Sequence, residues 1–221
     1  MHKIVVKLDI EKDAWNWWHA CNKVSYGVDW KMRIDEKLRN KIFGKTQKDA
    51  YAFLIPFLDE YYLKVPAIGH IKEIQDGFNK NSEKIFQRME KVTNRPIYRE
   101  NFTCFITSFP RFPYNYEEGY VWISNKKPLD SQIAIFIHEL LHFQYFAYFG
   151  EKIWNELGQE AHAELKEAMT VILNEEFSDI TSEKDKGYEI HRELRGRLLN
   201  LWRQERNMDN FIEKAVLLLK G

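Results

Sequence analysis

Cysteine is scarce in this chain: there are two among 221 residues, Cys21 and Cys104. Set far apart, they argue against a disulfide framework and read as free buried thiols. An excess of charge is missing as well. The 33 basic and 33 acidic side chains cancel to a formal net charge of +0, so nothing points to general binding of nucleic acid or of anionic membranes. No run of about 18 apolar residues occurs, so no transmembrane helix is expected. The segment Met1–Ile10 lacks a long apolar stretch and a small-residue cleavage site, and does not read as a signal peptide. Internal repeats and low-complexity segments are absent. A soluble cytoplasmic protein is the expectation.

What is present is material for a core. Hydrophobic residues make up 44% of the chain and aromatics 15%, which argues against disorder. The length suits one large domain or two small ones. Ile4–Ile10 is β-branched and reads as a short strand. Asp9 or Asp13 can cap a helix through Trp15, Trp17, Trp18 and Cys21, docked by its aromatic face. A helix over Asp29–Phe43 should end at Gly44. Thr46 caps Gln47–Leu63, where Pro56 should kink or restart the helix. Pro66 opens a short helix with Ile68, Ile71 and Ile74, and the Asn79–Ser82 segment caps another over Glu83–Val92. Residues 1–95 thus read as a mainly helical region, conceivable as a separate lobe or cover. His19 and His70 are isolated within it and carry no chemistry.

At Pro96 the texture changes. Ile97–Phe109 and Gly119–Ser124 have strand character. Asp130 or Ser131 then caps an apolar helix, with Gly150 ending it or allowing a turn. Trp154–Phe177 is a second helical pattern, Ser178–Lys186 a polar loop, and Gly187–Lys220 helical again. The expected fold class is α+β, predominantly helical, with a small sheet packed beside the helix that follows it.

That helix carries His138-Glu139-Leu140-Leu141-His142, an H-E-x-x-H motif. Residues four apart on a helix lie nearly above one another, about 6 Å along the axis. Both imidazoles can therefore reach one metal ion. Glu139 is rotated by about 100° from His138 and can face the ion's water instead. Ile133, Ile135, Phe136 and Ile137 precede the motif. Two histidines and a glutamate on so apolar a helix need partners if they are buried, and a metal supplies them. A catalytic zinc usually takes three protein ligands and leaves one position open. The next helix offers Glu156, Glu160, His162, Glu164 and Glu167 as sources of the third.

A helix with H-E-x-x-H, preceded by strands and followed by a glutamate-bearing helix, resembles the zincin metallopeptidases. Among them it looks like the glutamate-ligand, thermolysin-like (gluzincin) branch. In that branch the third ligand tends to follow the second histidine by roughly 20 to 25 residues, in a segment such as N-E-A-x-S-D. This chain has Lys166-Glu167-Ala168-Met169-Thr170-Val171. The resemblance therefore implies His138, His142 and Glu167 as ligands of Zn2+, with Glu164 next and His162 third in line. A helical wheel alone favours Glu164, which lies nearer the apolar face by about 60°. Two positions depart from the family. The aspartate that would orient a ligand histidine is Val171 here, leaving Thr170 and Asn174 as candidates for that role. The apolar residue two places after the second histidine is Gln144.

The activity implied is zinc-dependent hydrolysis of peptide bonds in a peptide or protein substrate. A metal-activated water would attack, with Glu139 as general base. His191 or Tyr188 would donate to the oxyanion, although His191 also fits a charged surface helix face. Phe105–Ser108 or Tyr120–Ser124 would hold the peptide as an added strand. The resemblance covers the metal helices and, loosely, the strands before them, so residues 96–221 form the expected metal-binding region. The competing reading is a zincin-like module that binds metal or a partner without catalysis. Glu139 argues against it, since a structural site needs no carboxylate beside an open position.

Overall fold

The computed structural model describes residues 2–64 and 67–220. In chain order the elements are β1 (Lys3–Lys7), α1 (Ile10–Cys21), β2 (Val24–Ser25), β3 (Val28–Asp29), α2 (Glu36–Ile42), α3 (Gln47–Lys64), α4 (Ala67–Thr93), β4 (Asn101–Thr107), β5 (Tyr114–Asn115), β6 (Tyr120–Ser124), α5 (Leu129–Tyr145), α6 (Glu151–Ala168), α7 (Leu173–Glu176), α8 (Arg192–Glu205) and α9 (Met208–Lys220). The protein is thus mainly helical with a small mixed sheet, as an α+β reading requires. No described helix is long and apolar enough to cross a membrane.

The chain divides into two compact units that interleave in sequence. One comprises Ile4–Asn79 and Asn101–Gln132, the other Met1–Lys3, Lys80–Glu100 and Ile133–Gly221. The division expected after residue 95 therefore falls inside the second of these.

The first unit holds a four-stranded sheet in the order β1-β4-β6-β5. β4 and β6 are parallel, Thr103 opposite Tyr120 and Thr107 opposite Ser124, while β5 is antiparallel to β6. Both segments expected to accept a substrate strand are therefore interior. The edges are β1 and the two-residue β5, so neither Phe105–Ser108 nor Tyr120–Ser124 belongs to an edge strand. Every residue of β6 is buried, which suits the continuous apolar run of a parallel strand covered on both faces.

The tryptophans of α1 serve packing. Asp9 caps the helix by accepting from Lys12 N. Trp17 is buried edge-on to Phe57 and Phe109, with its indole N–H on Ser108 Oγ at 2.9 Å. Trp15 is stacked between His19 and Trp122. Asp13 is wholly buried on the same helix and satisfied by hydroxyls of Tyr62, Thr107 and Ser108 and by the Ser108 amide. Burial nonetheless pushes its carboxyl up from the usual range. Both cysteines are buried and free, and burial pushes the Cys21 thiol up to about 12.

Several boundaries differ from expectation for identifiable reasons. The Asp29–Phe43 stretch splits into a 3-10 turn, Trp30–Arg33, and α2, because Asp35 caps a new start by accepting from Lys37 N. Gly44, at φ 71°, follows α2 in the left-handed conformation expected of it. Thr46 accepts from Asp49 N as a cap should, and α3 runs through Pro56 without interruption. The expected start at Pro66 lies outside the described residues. α4 passes straight through Asn79–Ser82. Ile74, Phe78, Ile85, Phe86, Met89 and Val92 are all buried, and this unbroken helical spacing overrides the local capping preference. α5 begins at Leu129, so Asp130 and Ser131 lie in its first turn and do not cap it.

In the first unit, the start of α5 is tied to the end of β6. Gln132 accepts from Ser124 N and donates to the carbonyls of Ser124 and Lys127. Gly150 does not turn the chain. It closes a π-helical stretch, Phe146–Gly150, at φ −58°, and the helical backbone continues into α6. The break comes at Gly158, with φ 74° and ψ 178°. These are angles an L side chain rarely adopts and glycine takes readily.

Candidate metal centre

The site lies within the second unit, on α5, α6 and the loop after α7. His138 and His142 stand four residues apart on α5, their ring centroids 4.6 Å apart and their planes at 83°. Glu167 reaches them from the last turn of α6. Its Oε2 lies 3.6 Å from His142 Nε2 and 3.9 Å from His138 Nε2. One ligand atom from each of the three residues falls within 4.8 Å of the others, the one such group among the described residues. His142 is 1% exposed and Glu167 7%.

The sequence ranking of third ligands can now be compared with position. Glu167 joins the two histidines, whereas Glu164 and His162 stand outside the group. His162 is buried among the rings of Tyr145, Phe146 and Trp154. The helical wheel favours Glu164 because it assumes one buried and one solvated face. Residues 165–173 are all buried, so the end of α6 has no solvated face, and Glu167 is enclosed although it lies off the apolar stripe.

The partner that orients His138 is a residue the sequence did not single out. Asp185 Oδ2 lies 3.1 Å from His138 Nδ1. Asn174, one of the two candidates, acts one step further out: its side chain accepts from Asp185 N and donates to Asp185 O. Gly187 N donates to Asp185 Oδ1 at 2.9 Å. Thr170, the other candidate, donates to Glu167 O and accepts from the Arg195 guanidinium at 2.8 Å. Arg195 is 5% exposed and also donates to Asp185 O at 2.7 Å. One guanidinium thus ties the turn bearing Glu167 to the loop bearing Asp185. Gly187 lies so close to Arg195 that a Cβ there would overlap the guanidinium.

Gln144, the departure from the family on α5, is a structural peg. It is fully buried, accepts from Tyr98 N and donates to Pro96 O, pinning the 96–98 segment to α5.

The electrostatics follow from burial and these contacts. Burial opposes ionisation of Asp185, but His138 and Arg195 outweigh it and hold its carboxyl well below the usual range. Burial likewise opposes charge on Glu167, which His142 and Lys166 overcome. Burial works against a charged His138, yet Asp185 and Glu139 lift it to about 9. Burial lowers His142 to about 3, with Lys166 acting the same way. Burial raises Glu139 to about 7, reinforced by Glu167 and Asp185. Glu139 is 6% exposed, and its Oε2 has no hydrogen-bond partner among the described residues.

His191 is buried, at 3% exposure, in a 3-10 turn ahead of α8, edge-on to Tyr188. It does not sit on an exposed charged face. Burial lowers its pKa, against the pull of Glu167 and Glu164.

The residues present suit a zinc ion. Two imidazole nitrogens and one carboxylate oxygen make a donor set that zinc accepts, with a further position open. The buried, unpartnered Glu139 oxygen beside them is what such a site needs and what a packed core avoids. The chain matches no family model, and comparison with curated proteins and with solved structures gives no match.

Proposed function

We propose that this chain is a zinc-dependent peptidase in which His138, His142 and Glu167 hold the metal and Glu139 is the general base. The observation that carries this reading is the three-residue group with Glu139 unpartnered beside it. The same arrangement supports the resemblance to glutamate-ligand zincins, and a peptide or protein as substrate.

When bound, zinc supplies a Lewis acid and lowers the pKa of a coordinated water towards about 7. The chain's own residues do the rest. Asp185 accepts from His138 Nδ1 and so turns Nε2 towards the site. His142, held neutral by burial, offers its nitrogen without first losing a proton. Glu139, raised by burial to about 7, takes a proton from the attacking water near neutral pH and passes it to the leaving amine. His191, whose pKa burial lowers, is the proposed donor to the developing oxyanion.

The experiment is cleavage of a peptide library by the zinc-loaded chain beside Glu139→Gln. Glu139-dependent hydrolysis supports the reading. Stoichiometric zinc with no hydrolysis of any peptide would favour a non-catalytic metal-binding module instead.

A further inference from the structure

Helix geometry turns neighbouring side chains about 100° apart, so residues i and i+1 do not ordinarily meet. Lys166 and Glu167 do. The Lys166 ammonium folds back onto Glu167 Oε1, with the two side chains 8% and 9% exposed. Taking a lysine out of water is costly, and an apolar side chain of similar volume would fill the space at lower cost. Leu165 and Ala168 beside it are apolar and buried. The charge at position 166 sits directly against the Glu167 carboxylate.

The two oxygens of Glu167 are committed differently. Oε2 faces His142 and His138, at 3.6 and 3.9 Å. Oε1 is held by Lys166. We infer that Lys166 is a positioning residue that restricts Glu167 to ligation through Oε2 alone. The inference rests on the metal-site reading above. A carboxylate ligating through both oxygens would take up a coordination position that hydrolysis needs for water or substrate. The ammonium also draws negative charge away from the ligand set. In the resembled family's segment an asparagine stands at this place, so the lysine belongs to this chain's own arrangement.

The test is cobalt(II) loading of the full chain, read by visible absorption, beside a zinc titration against a chromophoric chelator. Lys166→Met replaces the ammonium by an unbranched side chain of similar volume. Once released, Glu167 brings in Oε1. The cobalt bands should weaken, as they do when coordination number rises. Zinc affinity should hold or tighten, because a nearby positive charge is gone. Lys166→Arg keeps a cation on the same oxygen and should keep the wild-type spectrum. An unchanged spectrum in Lys166→Met, or zinc affinity lowered about tenfold or more as for an ordinary orienting residue, overturns the inference and leaves the metal site standing. If Lys166→Met does not fold, Lys166→Arg decides: a wild-type spectrum supports the restriction, weakened bands overturn it. A wild-type chain that takes up neither cobalt nor zinc overturns the metal reading itself, and this inference with it.

Discussion

His138 Nδ1 and Asp185 Oδ2 meet at 3.1 Å across 47 residues of sequence. A loop carboxylate thereby fixes which nitrogen of a helical histidine faces Glu167. Asn174, Gly187 and Arg195 in turn hold the carboxylate's own residue. The rigidity that a ligand helix could not supply alone comes from this loop.

If Asp185 orients His138, removing it should cost metal affinity before it costs the fold. Asp185→Ala is expected to weaken zinc binding by about 10- to 100-fold. Asp185→Asn, which keeps a hydrogen-bond acceptor, should lose less. Competition titration with a chelator of known affinity measures both. Equal affinities in wild type and Asp185→Ala would remove Asp185 from the site's account.

Metal uptake should release protons. In the metal-free chain His138 titrates near 9, so at neutral pH its ring carries a proton that ligation must expel. Zinc affinity should therefore rise about tenfold per pH unit from pH 7 towards 9, then level off. Calorimetry in buffers of different ionisation enthalpy counts the protons. A pH-independent affinity over that window would mean that His138 is already neutral.

His19, in the other unit, has a pKa shifted the opposite way and gives a stability prediction. Burial and the neighbouring Arg111, whose guanidinium lies 2.9 Å from His19 Nδ1, lower its pKa to about 4. Its unfolded value is about 6.5. The folded state thus binds the proton less tightly, so this stabilisation is present above about 6.5 and is lost as pH falls towards 4. The ring is half-buried, so solvent screening reduces the effect to about 1–2 kcal/mol. Chemical denaturation at pH 7 and at pH 4.5 should show a smaller acid loss in His19→Gln than in wild type.

Gly77 tests the packing of α4. Alanine at an ordinary helix position gains about 1 kcal/mol over glycine. Here a Cβ would overlap the Leu129 side chain. Gly77→Ala should therefore destabilise, by about 1–3 kcal/mol. Adding Leu129→Ala should recover part of that loss. A more stable Gly77→Ala in urea denaturation would show that Leu129 yields freely.

The sequence made some of this plain and hid the rest, for physical reasons. His138 and His142 were legible because four-residue spacing has one meaning on a helix. Glu167 was reached through a family resemblance while the helical wheel pointed to Glu164, since a wheel assumes one solvated face and residues 165–173 are buried all round. Asp185 left no periodic signal. It lies in a polar loop, and only the fold brings that loop to His138. The continuity of α4 was readable in the spacing of Ile74, Phe78, Ile85 and Met89, but Asn79 and Ser82 drew attention as caps. Three of the sheet's four strands, β1, β4 and β6, were recognisable by composition, and the two-residue β5 was not. Their order was not, because parallel pairing of β4 with β6 depends on contacts distant in sequence.

The most direct measurement is metal content of the purified, tag-free chain by elemental analysis, beside His142→Ala, Glu167→Ala and Glu164→Ala. The account predicts about one zinc per chain in wild type and Glu164→Ala, and loss of zinc in His142→Ala and Glu167→Ala. Zinc kept in Glu167→Ala and lost in Glu164→Ala, or no zinc in wild type even after reconstitution, would contradict it.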